Sequence, residues 1–141
     1  MHNFISRIVL VLKKIIPAPL VRALNRPYHF FITLIVAVLT GFPARSMTVI
    51  GITGTKGKST VSDILFAILS HAGYKTALAS TIRFAVGNES VPNQFKMTMQ
   101  GRGYLQEFLH DAKKKGATHA VVEITSEGTR QFRNAFLFLD G

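Results

Sequence analysis

Cysteine is absent from the 141 residues, which excludes disulfides, zinc–thiolate sites and thiol catalysis. Acids are scarce: seven Asp and Glu stand against 17 Lys and Arg, a net charge of +10 at pH 7. Clustered positive charge attracts polyanions, yet no recognition-helix or aromatic RNA-binding signature accompanies it, so nucleic acid is not the expected partner. A clear bilayer-spanning run is lacking too. The apolar run Phe30 to Phe42 has 13 residues, against the roughly 20 of a transmembrane helix, although adding Tyr28 and His29 brings it nearer that length. Internal repeats and low-complexity tracts are missing. What is there is a hydrophobic fraction of 48%, sufficient for one domain with a real core.

The charge is unevenly laid out. Residues 1–46 hold six basic residues (Arg7, Lys13, Lys14, Arg22, Arg26, Arg45) and no acid. Phe4 to Ile16 is apolar apart from Lys13-Lys14, Pro17 and Pro19 interrupt it, and Pro27 and Pro43 bracket the second apolar run. This segment reads as a separate apolar, basic helical piece, either buried or lying on a membrane surface. A cleaved leader is disfavoured because the uninterrupted apolar run, Phe30 to Phe42, starts far from Met1 and because export would carry the glycine-rich loop downstream away from ATP.

Gly51 to Thr60, GITGTKGKST, is the most informative stretch. Met47 to Ile52 before it is short and β-branched, as in a buried strand. After it Val61, Ile64, Leu65, Ile68 and Leu69 recur at helical spacing until Gly73, a residue that suits a helix C-terminus. Strand, glycine turn and helix in that order point the unsatisfied N–H groups of a helix N-terminus at a bound anion. Gly54 and Gly57 let the backbone wrap a polyphosphate with Thr55, Lys56 and Thr60 around it. Lys58 neutralises phosphate charge, and the Ser59 hydroxyl faces Mg²⁺. The strict G-x-x-x-x-G-K-[ST] pattern would need glycine where Ile52 stands.

The alternation continues downstream. Lys75 to Ile82 reads as a second strand, Tyr104 to Lys115 as a helix ended by Gly116, and Thr118 to Thr125 as a third strand. Phe136 to Asp140 reads as one more strand. The expected fold is therefore α/β, a P-loop-type, mostly parallel sheet flanked by helices over 47–141, preceded by the helical segment 1–46. Ligands of such sheets bind at the C-terminal edge of the strands. Glu123 ends a buried strand there, where a carboxylate can hold Mg²⁺ opposite Ser59.

Together these residues resemble the Mur ligases, whose ATP-binding signature T-G-T-x-G-K-[ST] matches Thr53 to Ser59 and accommodates Ile52. Val122 to Ser126 is similar to the following E-V-S-S segment, and Gln131-Phe132-Arg133 falls where the UDP-N-acetylmuramyl-tripeptide synthetase branch has Q-x-R. The resemblance covers about residues 47–141, the first half of the family's central domain.

It implies an ATP-dependent amide-forming ligase of peptidoglycan synthesis, cytoplasmic, adding an amino acid to a UDP-N-acetylmuramoyl peptide through an acyl phosphate. Lys58 would clamp the phosphates, and Ser59 and Glu123 would hold Mg²⁺. Thr125, Gln131 and Arg133 would contact the UDP-muramyl peptide. Thr98 is the one match to the family's Thr-Thr-Pro-like substrate loop, from which Met99 and Gln100 depart, and Glu127 stands where the branch commonly has histidine. The family's uridine-binding domain, its later metal-binding histidine and carbamylated lysine, and its amino-acid-binding domain are not visible. The expectation is thus a truncated piece that binds ATP weakly, if at all, and has no turnover alone. A folylpolyglutamate synthase-like ligase is one alternative. Another is a membrane-associated ATP-binding module without catalysis, in peripheral contact through residues 1–46.

Overall fold

The computed structural model describes residues 18–95, 97–99, 101 and 103–140, with side chains from Pro27 onward. The apolar stretch Phe4 to Ile16, Lys96 and Gln100 lie outside the described residues. Helix α1 is Ala18–Leu39 and a short 3-10 turn is Pro43–Ser46. Then follow β1 Thr48–Ile52, α2 Lys58–His71, β2 Thr76–Ala79, β3 Arg83–Val86, β4 Glu89–Pro92, α3 Tyr104–Lys114, β5 His119–Glu123 and α4 Ser126–Arg130.

The five strands form one sheet in the order β1-β5-β2-β3-β4. β5 lies between β1 and β2 and is parallel to both, whereas β3 and β4 continue the sheet antiparallel. β2 is buried at every position and β5 at all but its first, as expected of strands covered on both faces. Alternation along these strands divides the core. Leu78 and Val121 face α2 in a cluster with Phe66 and Ala85. Ala77, Ala79, Ala120 and Val122 face the other way and pack with Leu105, Leu109 and Ala112 of α3. Of the apolar positions read on α2, Leu65 and Leu69 pack on the sheet, while Val61, Ile64 and Ile68 turn to solvent.

Two strand expectations are corrected. The strand expected over 75–82 stops at Ala79 because Ser80 closes a tight reversal: its N–H donates to the Arg83 carbonyl at 3.0 Å, and its hydroxyl oxygen accepts from the Ile82 and Arg83 N–H groups at 3.2 and 3.1 Å. The chain then forms the β3–β4 hairpin, turning at Gly87-Asn88. Phe136 to Asp140, expected as a strand, is irregular. Phe136 and Phe138 have φ of 62° and 46°, which breaks extended geometry. Asp140 alone pairs with β1, its N–H donating to the Val49 carbonyl at 2.9 Å and its Oδ2 accepting from the Val49 N–H at 2.8 Å.

Helix α1 runs through Pro27. Thr33 and Ala37 are buried, and Phe30 packs edge-on against Phe132 and near Phe136. Beyond the helix, Phe42 meets Phe136 and Phe138, with the Arg45 guanidinium 4.9 Å from the Phe42 and Phe138 ring centres. The opposite face of α1 is open, with Phe31, Ile35 and Val38 58, 54 and 58% exposed. Among the described residues no helix is long and apolar enough to cross a membrane.

Candidate functional site

β1 delivers the chain to the C-terminal edge of the sheet, and Gly57 starts α2 there with φ of 76°. A side chain at that position would meet nothing within 4 Å, so glycine is required by backbone conformation rather than by space. No side chain caps α2 and no acid lies in its first turn. The free N–H groups of Lys58, Ser59 and Thr60 and the positive end of the helix dipole thus remain available to an anion. Gly54, Thr55, Lys56, Gly57 and Thr60 are exposed, and Lys58 and Ser59 half-buried. Lys58 folds back over the loop, its Nζ donating to the Gly54 carbonyl at 2.8 Å.

Glu123 is brought beside this loop by strand register. Ile52, the last residue of β1, pairs with Glu123, the last residue of β5, and the Ile124 N–H donates to the Ile52 carbonyl at 2.8 Å. The Glu123 side chain is fully buried. Its Oε2 accepts from the Thr81 hydroxyl at 2.7 Å, while the buried Oε1 has no partner. A buried carboxylate oxygen left unpaired is costly, and a hard cation would satisfy it. The donor set, one carboxylate and one serine hydroxyl, fits Mg²⁺, which takes few protein oxygens and completes its shell with phosphate and water. Among the described residues no group of three His, Cys, Asp or Glu could hold a metal by itself.

The remaining sequence-predicted residues gather around α4 and the loop before α3. Thr125 caps α4, its Oγ1 accepting from the Gly128 N–H at 3.0 Å, and its own N–H donates to the Met99 sulfur at 3.3 Å. Gln131 donates to Glu127, and its Oε1 accepts from Arg133 Nη2 at 2.5 Å. Arg133 Nη1 donates to the Met99 carbonyl. Glu127, Gln131 and Arg133 therefore form a chain that ties α4 to the 97–101 loop. Thr98, on that loop, lies 2.7 Å from Thr81 Oγ1. The fold thus brings Thr98, Thr125, Gln131 and Arg133 together through Met99, while Lys58 and Ser59 follow β1, the strand that pairs with the other edge of Glu123's strand.

Sequence reasoning missed Thr81 and the part played by Met99. The signal for Thr81 is the polar pair Ser80-Thr81 closing the apolar strand β2 at its C-terminal end. Met99 carried no such signal, because its sulfur is recruited only by tertiary packing.

An apolar-walled cavity of about 390 Å³ lies between the β3–β4 hairpin and α3, lined by Phe84, Val86, Val91, Tyr104 and Phe108 among others. It contains no residue of the loop or of the carboxylate cluster. Burial, with Glu107 and Asp111 nearby, raises the Tyr104 hydroxyl above its ordinary pKa, so it stays protonated at neutral pH.

The Mur ligase middle domain model matches residues 52–139. The UDP-N-acetylmuramyl-tripeptide synthetase of Treponema denticola is 34% identical over 92 residues, covering 65% of this chain and 17% of that protein. The UDP-N-acetylmuramoyl-L-alanyl-D-glutamate--2,6-diaminopimelate ligase of Corynebacterium efficiens is 38% identical over 86 residues, 61% of this chain and 16% of that protein. A solved structure of a ligase of the latter name superposes with a TM-score of 0.54 at 33% identity, over 62% of this chain and 17% of that one. The chain spans about a sixth of the length of these relatives.

Proposed function

Because the chain belongs to the Mur ligase family, whose middle domain it matches over residues 52–139, we propose that it serves ATP-dependent addition of an amino acid to a UDP-N-acetylmuramoyl peptide. Mur ligases are ATP-dependent ligases, and the names of the relatives place them in this chemistry. The observation that carries the reading is the register pairing of Ile52 with Glu123, which sets a buried, half-satisfied carboxylate beside the Gly54–Thr60 loop.

In this reading the peptide carboxylate attacks the γ-phosphorus of ATP, and the bond to the β–γ bridging oxygen breaks, leaving ADP and an acyl phosphate. The amino-acid nitrogen then attacks the acyl carbon, inorganic phosphate departs and the nitrogen loses a proton. Both first-step reactants are anionic, so alignment and charge neutralisation are what the protein must provide. Lys58 and the N–H groups opening α2 hold the phosphates. Ser59 and Glu123 would hold Mg²⁺, which supplies divalent charge when bound. Arg133, with Thr98, Thr125 and Gln131 around it, would offer the guanidinium hydrogens not donated to Met99 and Gln131 to an anionic group of the peptide substrate.

ATP is expected to raise the thermal unfolding temperature of the 141-residue chain only with Mg²⁺ present. In Glu123→Gln the same ATP shift should no longer respond to Mg²⁺. A UDP-muramyl peptide should add to the stabilisation where a folate does not; the reverse preference would favour a folylpolyglutamate synthase-like ligase. Equal Mg²⁺ dependence in the glutamine variant would sink the metal assignment.

A peripheral membrane contact through residues 1–46 is the second reading, favoured by the open apolar face of α1 beside an acid-free basic segment. The full chain should float with anionic vesicles and an Ile35→Asp/Val38→Asp variant should not. Equal flotation of the two would remove this reading.

A further inference from the structure

Glu123 is steadied by a residue that belongs to none of the motifs. Thr81, just past the end of β2, donates its hydroxyl hydrogen to Glu123 Oε2 at 2.7 Å, and its oxygen lies 2.7 Å from Thr98 Oγ1. A hydroxyl has one hydrogen to give. With Thr81's committed to the carboxylate, the hydrogen between the two threonines comes from Thr98. The chain of donation therefore runs in one direction, Thr98 to Thr81 to Glu123, and Thr98 presents only lone pairs to its surroundings.

The loop that carries Thr98 is anchored at the same strand end. Asn93 Nδ2 donates to the Ser80 carbonyl at 2.9 Å and to the Met97 carbonyl at 3.0 Å. Ser80 and Asn93 are both buried. The strand end, the loop and the carboxylate thus form one hydrogen-bonded unit, with Glu123 Oε1 its unpartnered buried oxygen.

We propose that Thr81 is a positioning residue that fixes the Glu123 carboxylate for a divalent cation, spending Oε2 and leaving Oε1 for the metal, and that it links the cation to the Thr98 loop. This rests on the reading of Glu123 as a metal ligand. Groups that hydrogen-bond a metal's ligands commonly alter metal affinity ten- to a hundredfold when removed.

The test is a Mg²⁺ titration of the ATP-induced thermal shift, made with the full 141-residue chain. Thr81→Val is expected to raise the Mg²⁺ midpoint about tenfold, and Thr81→Ser, which keeps the hydroxyl, to bring it back close to wild type. Thr98→Val leaves the Thr81–Glu123 bond in place and should give a smaller rise, and it carries the test if the Thr81→Val chain does not fold. A lowered unfolding temperature with the Mg²⁺ midpoint unchanged in the valine variants would make Thr81 merely structural and overturn the proposal. A wild-type chain whose ATP shift ignores Mg²⁺ would instead overturn the metal reading of Glu123, and the coupling with it.

Discussion

The Lys58→Ala chain is expected to bind ATP roughly ten- to a hundredfold more weakly than wild type, the loss that follows from removing a charge-assisted hydrogen bond of about 1.5–3 kcal/mol. Without ligand, Lys58 rests its ammonium on the Gly54 carbonyl at 2.8 Å in an exposed bond. Exchanging that neutral partner for phosphate costs little and gains a charged one. The folded state should barely notice the substitution, since Lys58 is only half-buried and removing a cation from a helix N-terminus is mildly favourable. Calorimetric titration with Mg²⁺-ATP, set beside thermal unfolding without nucleotide, separates the two effects. Unchanged ATP affinity would remove Lys58 from the site. Lys58→Arg should fall between, because its planar fork is not the compact point charge the turn accommodates.

The loop was legible in the sequence because its requirements are local. Gly57 needs a backbone conformation that few side chains adopt, and Lys58-Ser59 must open the helix that follows it. The pairing of Ile52 with Glu123 is not local, yet it follows once strands and helices alternate, since a parallel sheet collects the strand ends at one edge. The hairpin was harder. Arg83–Val86 and Glu89–Pro92 are four residues each and carry little apolar alternation, so Gly87-Asn88 between them was their clearest mark. Phe136 and Phe138 were misleading. Their apolar spacing suits extended chain, but ring contacts with Phe30 and Phe42 and the Arg45 contact accompany positive φ at both. Tertiary packing overrode local preference there. The cluster around Arg133 was only half readable: Gln131 and Arg133 stood out through the family resemblance, while the Met99 carbonyl and sulfur that organise it had no signature at all.

Gly103→Ala should cost this chain about 3 kcal/mol, or on the order of 10 °C in unfolding temperature. Two independent penalties meet at this position. Its φ is +74°, and a Cβ there would lie 2.6 Å from both Cβ and Cγ2 of Val36 and 2.9 Å from its Cγ1. Cβ atoms do not approach so closely, so α1 or the start of α3 must move. Either movement is expensive. The Gly103 carbonyl accepts from the Gln106 and Glu107 N–H groups at 2.9 and 3.2 Å, so shifting it unravels the first turn of α3 directly behind the Thr98–Met99 loop. Gly116→Ala supplies the control: its φ is +85°, but the nearest atom to an added Cβ is the flexible Lys75 Cδ at 3.9 Å. That variant bears the conformational cost alone, about 1–2 kcal/mol. The excess loss in Gly103→Ala then measures the seating of α1 on α3, and thermal unfolding of the full chain reads both. Val36→Ala combined with Gly103→Ala should recover only part of the excess, because the Val36 Cβ remains in the way. If the two glycine variants lose stability equally, Val36 is not seated on Gly103 and α1 is not docked against the sheet domain.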